Sequence, residues 1–293
     1  MQGIGFVGLG AMGAPMAWNL RKAGCALHVY NRNPARAAPF AADGVPVHAT
    51  PRALAAASEV VVIMVADPAA LHAVLFDADG LLAGLVPGSR VVNMSTVDRA
   101  ATLAAAAAVR AHGGRFVDAP VSGTVKPAED GTLTVLAGGD RSDVEALTPL
   151  LQAMSKAVVY CGDVGQGTAM KLVVNLLLGG MMALLAEGLT LADALGLQTE
   201  DVLQAVGSGP LGAPLYQAKG RMMAAGTFDK QFPVSLMFKD LNLLLGEAGR
   251  AGVPLPTTAA VRELFSAAGA LGHGDDDMAA VIRVLQRLSS PAG

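Results

Sequence analysis

Gly8-Leu9-Gly10-Ala11-Met12-Gly13 sets three glycines at the spacing G-x-G-x-x-G, directly after a short apolar run, Ile4–Val7. Glycines at this spacing permit a tight turn, let the backbone approach a pyrophosphate, and allow a helix to pack closely on the preceding strand. A helix opening there also presents free N–H groups and the positive end of its dipole to an anion. The same spacing occurs in ordinary glycine-rich turns; its place at the head of a strand–helix unit is what points to a dinucleotide cradle. Gly8, Leu9, Gly10, Ala11, Met12 and Gly13 are therefore the first candidate cofactor contacts. A second strand should end near Tyr30, where NAD enzymes often carry an Asp or Glu for the ribose 2′-hydroxyl. Here the residues are Asn31-Arg32-Asn33-Pro34, with no carboxylate. A carboxylate would repel a 2′-phosphate, whereas the Arg32 guanidinium can grip one with a planar fork. Asn31 and Arg32 thus join the cofactor set, and NADP is favoured over NAD.

The elements that must hold this cradle follow from the apolar pattern. Ile4–Val7, Leu27–Tyr30, Val60–Val65, Arg90–Met94 and Arg115–Val117 read as strands, each short and bounded by turn residues. Helical stretches at Ala14–Ala23, Pro51–Ala57 and Thr102–Ala111 alternate with them, which implies a mainly parallel sheet covered on both faces. Leu133–Ala137 and Ala157–Tyr160 are further strands around a helix at Asp143–Met154. After Gly162-Asp163-Val164-Gly165 the strand pattern stops. Gly167–Leu195 reads as one long helix, in which Gly179-Gly180 either kinks the axis or admits a close helix crossing. Further helices are expected at Glu200–Val206, Phe238–Ala251, Thr258–Ala270 and Met278–Leu288, the last with Val281, Val284, Leu285 and Leu288 on one buried stripe. The expected architecture is α/β: an N-terminal doubly wound Rossmann sheet over residues 1–163, then an all-α C-terminal domain over residues 164–293.

Composition narrows the function. Of 293 residues, 53% are hydrophobic and 15% charged, with a formal net charge of −3. That composition supplies a core and excludes disorder, and it lacks the basic footprint of a nucleic-acid binder. Cys25 and Cys161 are too few for a disulfide framework or a cysteine-rich zinc site, so a reducing cytoplasm is expected. The start, Met1-Gln2-Gly3-Ile4, lacks the basic segment of a signal peptide. The most membrane-like stretch, Leu172–Ala186, is shorter than a span needs and contains Asn175, so it reads as a buried helix. His28, His48, His72, His112 and His273 show no metal-ligand spacing, and no metal is expected. Asp275-Asp276-Asp277 reads as helix capping, and Met181-Met182 and Met222-Met223 as core filler. No G-x-S-x-G elbow surrounds any serine.

Four stretches in order carry a resemblance over essentially the whole chain. They are Gly5-Phe6-Val7-Gly8-Leu9-Gly10-Ala11-Met12-Gly13, Asp118-Ala119-Pro120-Val121-Ser122-Gly123 continuing to Gly131-Thr132-Leu133, Gly165-Gln166-Gly167 leading to Lys171 and Asn175, and Lys239-Asp240. Together they resemble the β-hydroxyacid dehydrogenase family, which includes 3-hydroxyisobutyrate dehydrogenase and tartronate semialdehyde reductase. Lys126-Pro127-Ala128-Glu129-Asp130-Gly131, and Phe232 ahead of Lys239-Asp240, resemble its branch of glyoxylate/succinic semialdehyde reductases and γ-hydroxybutyrate dehydrogenases. Val125 departs from that branch, where a second lysine often precedes the one at 126.

The resemblance implies a reaction and a set of roles. Hydride from a nicotinamide reduces a small carboxylated aldehyde such as glyoxylate or succinic semialdehyde, and Lys171 protonates the carbonyl oxygen, a role that burial and neighbouring positive charge would tune. Asn175, at i+4, shares its helical face. Met170, Leu172, Val173, Val174 and Leu176 around them are apolar, so a polar pair there needs a reason. Ser122 and Gly123 are expected to bind the substrate carboxylate, with Phe232 and Asp240 lining the substrate site, while Thr96 and Lys239 contact the cofactor. Alternatives are a 3-hydroxyisobutyrate or tartronate semialdehyde type NAD(P) dehydrogenase, a non-catalytic NADP-binding sensor module, and, ranked lower, an imine reductase. The long apolar helix with its small residues leads to the expectation of a homodimer or homotetramer joined through the C-terminal domain.

Overall fold

The computed structural model describes residues 3–289; Met1 and Gln2 at the N-terminus, and residues 290–293 at the end of the expected second domain, lie outside the described residues. The chain divides into two compact units, Met1–Lys171 and Leu172–Gly293.

The first unit is built on a sheet of eight strands among the described residues. They are β1 Gly3–Val7, β2 Ala26–Tyr30, β3 Val60–Ile63, β4 Arg90–Asn93, β5 Arg115–Asp118, β6 Val121–Ser122, β7 Leu133–Gly138 and β8 Ser155–Gly162. Their order is β2-β1-β3-β4-β5-β7-β6, with β8 paired to β7. The pairs from β2 to β5 are parallel, while β5 and β6 meet β7 antiparallel. The central strands are apolar on both faces because helices cover both. Phe6, Val62, Val92 and Val117 align across one face, and Val61, Val91 and Phe116 across the other. Fully burying one such side chain contributes about 1.5–3 kcal/mol. Helices α1 Gly13–Lys22, α2 Ala38–Ala42, α3 Pro51–Ala56, α4 Pro68–Phe76, α5 Arg99–Ala111, α6 Val125–Glu129 and α7 Arg141–Gln152 connect the strands. The strand order reverses between β1 and β3, and such a switch point opens a crevice beyond the carboxyl ends of the strands. The glycine loop, residues 8–13, stands there.

The division between the units falls inside α8, Gln166–Ala194. The second unit continues with α9 Thr199–Ser208, α10 Pro214–Ala225, α11 Val234–Ala251, α12 Pro256–Ala268 and α13 Ile282–Ser289. By length and composition α8 could cross a membrane. Its Met182, Leu185, Ala186 and Leu189 are instead core residues, packed in one cluster with Met237, Leu241, Val261 and Phe265. The helix runs unbroken through Gly179-Gly180. A Cβ on Gly179 would lie 3.2 Å from Leu241 and 3.3 Å from the Met237 sulfur, so that glycine serves a close crossing with α11 rather than a kink. The expected C-terminal stripe needs one correction. Val281 and Val284 are buried, but Leu288 is 76% exposed, because the last turn of α13 overruns the core it packs on. The expected helix begins instead as a 3₁₀ turn, Met278–Val281, that leads into α13.

The crossing predicts a contrast between two helical glycines. Gly179→Leu should overpack the α8–α11 contact and destabilise by about 1–3 kcal/mol. Gly246→Ala, in α11 with open space at its Cβ, should stabilise by about 0.5–1 kcal/mol. Denaturant midpoints of the two variants check both signs.

Candidate active site

The glycine loop meets the steric demands of a phosphate cradle. Gly8 has φ +97°, and a Cβ there would collide with the Met64 carbonyl; one on Gly13 would collide with the Gly8 carbonyl. At Gly10 the nearest atom to such a Cβ is Arg36 Nη1 at 3.5 Å, so this stretch of backbone faces open space. Leu9 is buried in the core, and its N–H donates to Asn31 Oδ1 at 2.8 Å. Asn31 Nδ2 donates to the Asn33 carbonyl at 2.8 Å. Asn31 therefore ties the loop to the end of β2, a positioning role that the sequence left unstated. Ala11 is exposed and Met12 is partly buried against the core. Gly8, Gly10, Asn31, Arg32, Arg36 and Thr50 line one cavity of about 530 Å³, together with Asp77 and Asp79. The residues present fit a dinucleotide: backbone without side chains where a pyrophosphate would approach, and two guanidiniums beyond the end of β2. Sequence reasoning missed Arg36. Its signal was the Asn33-Pro34 turn, in which Asn33 Oδ1 accepts the Ala35 N–H and brings Arg36 back over the loop.

Further along the carboxyl edge, Thr96 is half-buried in the segment after β4. Ser122 ends β6, opposite Thr134 of β7. Gly123 follows with φ +139°, and a Cβ there would stand 2.6 Å from the Leu133 side chain. The backbone at Ser122-Gly123 is thus fixed in a shape that leaves no room for a larger residue. Lys126, two residues on from Thr124, pairs with Asp130 at 2.6 Å on the surface.

Asp118, at the end of β5, is fully buried. Its Oδ1 accepts the Gly165 N–H at 2.8 Å and its Oδ2 the Thr168 N–H at 2.7 Å. It therefore caps α8 from a distant strand, satisfying donors that a helix start leaves open. Burial pushes the Asp118 carboxyl above its ordinary pKa, and those two N–H groups pull it back down. A Cβ on Gly167 would collide with the Leu136 carbonyl, so glycine is what lets the first turn lie against β7. Thr102 and Thr168 hydroxyls meet at 3.0 Å. From this fixed start α8 carries Lys171, which is only 6% exposed.

One turn further on, Asn175 is fully buried, and its Nδ2 donates to Asp240 Oδ2 at 2.6 Å. A carboxylate only accepts, so this bond fixes which end of the amide faces away. That end, Oδ1, has no hydrogen-bond partner among the described residues. Lys239 Nζ lies 2.9 Å from Asp240 Oδ1. The structure thus joins Asn175, Asp240 and Lys239 in one cluster of the second unit; Lys171 stands four residues before Asn175 in the sequence of α8. Phe232 is half-buried against the helical core, and its N–H donates to Asp277. Asp277 caps the turn at Ala279 as expected, but it also pairs with Lys219, which no sequence signal singled out. The histidines are less scattered than the sequence implied: His28 Nδ1 and His48 Nε2 are 2.9 Å apart. No cluster of three metal-ligating side chains occurs among the described residues.

Two family models match the chain. Residues 3–162 match the NAD-binding domain of 6-phosphogluconate dehydrogenase, and residues 165–285 match the NAD-binding domain of NADP-dependent 3-hydroxyisobutyrate dehydrogenase. Glyoxylate/succinic semialdehyde reductase 2 of Arabidopsis thaliana is 39% identical over 98% of this chain and 80% of its own length. The 2-(hydroxymethyl)glutarate dehydrogenase of Eubacterium barkeri is 38% identical over 98% of this chain and 95% of its own. Among solved structures, 3-hydroxyisobutyrate dehydrogenase of Mycobacterium tuberculosis superposes with a TM-score of 0.89 at 30% identity, covering 98% of this chain and 99% of that one.

The capping carboxylate predicts a stability effect. Asp118→Ala strips the Gly165 and Thr168 N–H groups of their acceptor, at about 1–3 kcal/mol for each one left unpaired. Asp118→Asn, which keeps one acceptor oxygen, should lose less. Thermal denaturation of both variants orders them; an alanine variant as stable as the parent would show that the cap is not needed.

Proposed function

Because the chain belongs to the 3-hydroxyisobutyrate dehydrogenase-like family of NAD(P)-dependent hydroxyacid dehydrogenases and reductases, we propose that it is an NADPH-dependent reductase of small carboxylated aldehydes, such as glyoxylate or succinic semialdehyde. The observation that carries the reading is the buried Lys171, four residues before Asn175, whose buried Oδ1 has no hydrogen-bond partner among the described residues. An orphaned buried acceptor is costly, and sites that bind a ligand tolerate one. When bound, the nicotinamide supplies the hydride that reduces the carbonyl carbon. Lys171 gives a proton to the carbonyl oxygen as negative charge develops there. Asn175 Oδ1 offers an acceptor to the ammonium or to the new hydroxyl, and Asp240 with Lys239 holds that amide in place. Ser122 Oγ and the backbone beside Gly123 bind the substrate carboxylate. Arg32, with Arg36, supports the choice of NADPH, since two guanidiniums favour a 2′-phosphate.

A panel of short aldehyde acids, run with NADPH and NADH, tests substrate and cofactor together. Turnover of glyoxylate or succinic semialdehyde with NADPH preferred is expected; failure of the panel together with NAD+-dependent oxidation of 3-hydroxyisobutyrate would move the enzyme to the dehydrogenase branch. Lys171→Ala should lower kcat by about 10²–10⁴-fold, the span of general acid catalysis, with NADPH affinity little changed. A folded alanine variant within about threefold of the parent kcat would remove lysine from the mechanism.

We also propose a homodimer or homotetramer. Met170, Val173, Leu177, Leu184 and Leu191 of α8 are 40–60% exposed, and four of them recur seven residues apart. Gly180 and Gly188 have open space at the Cβ positions. One exposed leucine is ordinary, whereas a continuous stripe at heptad spacing supports helix pairing with a second copy. Light scattering should show an oligomer at micromolar concentration, and Leu177→Glu with Leu184→Glu should yield monomers; a monomeric parent would overturn the proposal.

A further inference from the structure

The second unit buries an ion pair that the reaction above does not use. Lys219 of α10 and Asp277 have side chains 2% and 0% exposed, and Lys219 Nζ lies 2.8–2.9 Å from both carboxylate oxygens. Such a pair is weak evidence of stability, because apolar side chains of similar volume often serve a core as well. Its remaining bonds say more. Lys219 Nζ also donates to Gln231 Oε1 at 3.2 Å, and Asp277 Oδ2 accepts the Phe232 N–H at 3.0 Å. The Asp277 N–H donates to the Phe228 carbonyl, and the Met278 N–H to the Phe232 carbonyl. These bonds converge on one segment, Phe228–Pro233, between α10 and α11. Arg283 adds a bond to the Gly226 carbonyl and lies over the Phe228 ring, and Lys230 pairs with Asp275. Pro233 immediately precedes α11, so the same anchoring sets where the helix bearing Lys239 and Asp240 begins.

We infer that Lys219 and Asp277 are positioning residues for substrate selection, holding Phe228–Pro233 so that Phe232 meets the substrate from a fixed place. The inference rests on the reductase reading, through the assignment of Phe232 to the substrate. Any buried ion pair needs further hydrogen bonds; what points to positioning is that three of this pair's bonds end on the one segment that carries Phe232. Holding the loop affects how well the substrate is bound more than how fast it reacts.

Steady-state kinetics and amide hydrogen exchange on the intact protein, with Lys219→Met and Gln231→Leu variants, test this. At a temperature where both variants are folded by circular dichroism, Lys219→Met should raise KM for the aldehyde acid about tenfold and Gln231→Leu about threefold. Turnover should stay within about threefold, KM for NADPH should be unchanged, and exchange across residues 228–240 should accelerate while α12 stays protected. Wild-type KM together with wild-type exchange would overturn the inference. If Lys219→Met fails to fold, Gln231→Leu decides by the same two readouts, since it leaves no buried charge unpaired. Absence of turnover in the parent protein would overturn the reductase reading and the selection role together, whereas turnover with unmoved KM overturns the selection role alone.

Discussion

Two N–H groups at the start of α8, those of Gly165 and Thr168, end on one buried carboxylate at the tip of β5. Much of the first unit is arranged so that this can happen. β5 must stop at Asp118 rather than run on, and Gly138 and Gly167 must lack side chains, since a Cβ on either would intrude on this junction. Burying a carboxylate is unfavourable in itself, and burial pushes the Asp118 carboxyl upward. The helix N-terminus offsets that cost with oriented N–H groups and the positive end of its dipole. The result is a helix whose first turn is anchored to the sheet edge at both carboxylate oxygens. Lys171 sits within one turn of Thr168, so its backbone inherits that anchoring.

Strands in the sheet were legible in the sequence because burial on both faces leaves a continuous β-branched run. Val60–Ile63 is the clearest case, and it also shows the limit of the signal. The apolar run continues to Val65, but β3 ends at Ile63 because the Val65 N–H is taken by a side chain, Ser95 Oγ. The short α6 and α10 left no such trace. In α6, Lys126-Pro127-Ala128-Glu129 has too few residues for a period. In α10, the buried Lys219 interrupts the apolar face that would have marked a helix. A lysine paired in a core is spelled like a lysine in water. Only the fold reveals Asp277 beside it, 58 residues along the chain.

The cofactor end was legible in kind and incomplete in detail. Gly8, Gly10 and Gly13 could be read by their spacing because each removes a specific clash or leaves a specific opening. Arg32 could be read because the residue type expected at that place was missing. Arg36 and Thr50 could not, since they reach the same cavity through a turn and a helix cap rather than through the strand. The cavity also has Asp77 and Asp79 on its wall. A dinucleotide has an adenosine portion as well as phosphates, and carboxylates are compatible only with the part of the cavity away from a 2′-phosphate. Charge in this cavity is therefore arranged by position, and a count of its charged residues says little about which cofactor it prefers.

Asn175 shows why an amide, and no other side chain, suits its place. Lysine or arginine there would set a second positive charge within a helical turn of Lys171, and a carboxylate would face Asp240 with like charge at hydrogen-bond distance. Leucine would strip the buried Asp240 of the hydrogen bond to its Oδ2, and the Lys239 that pairs with its Oδ1 is itself 23% exposed. The amide donates to Asp240 through nitrogen and so must turn its oxygen the other way. One hydrogen bond thereby converts a symmetric-looking side chain into a directed acceptor. A buried acceptor without a partner is unfavourable in the resting protein by the desolvation of that oxygen. A donor from a bound ligand would return that cost, so the nitrogen of this amide serves the fold through Asp240 while its oxygen is the part that the proposed reaction can use.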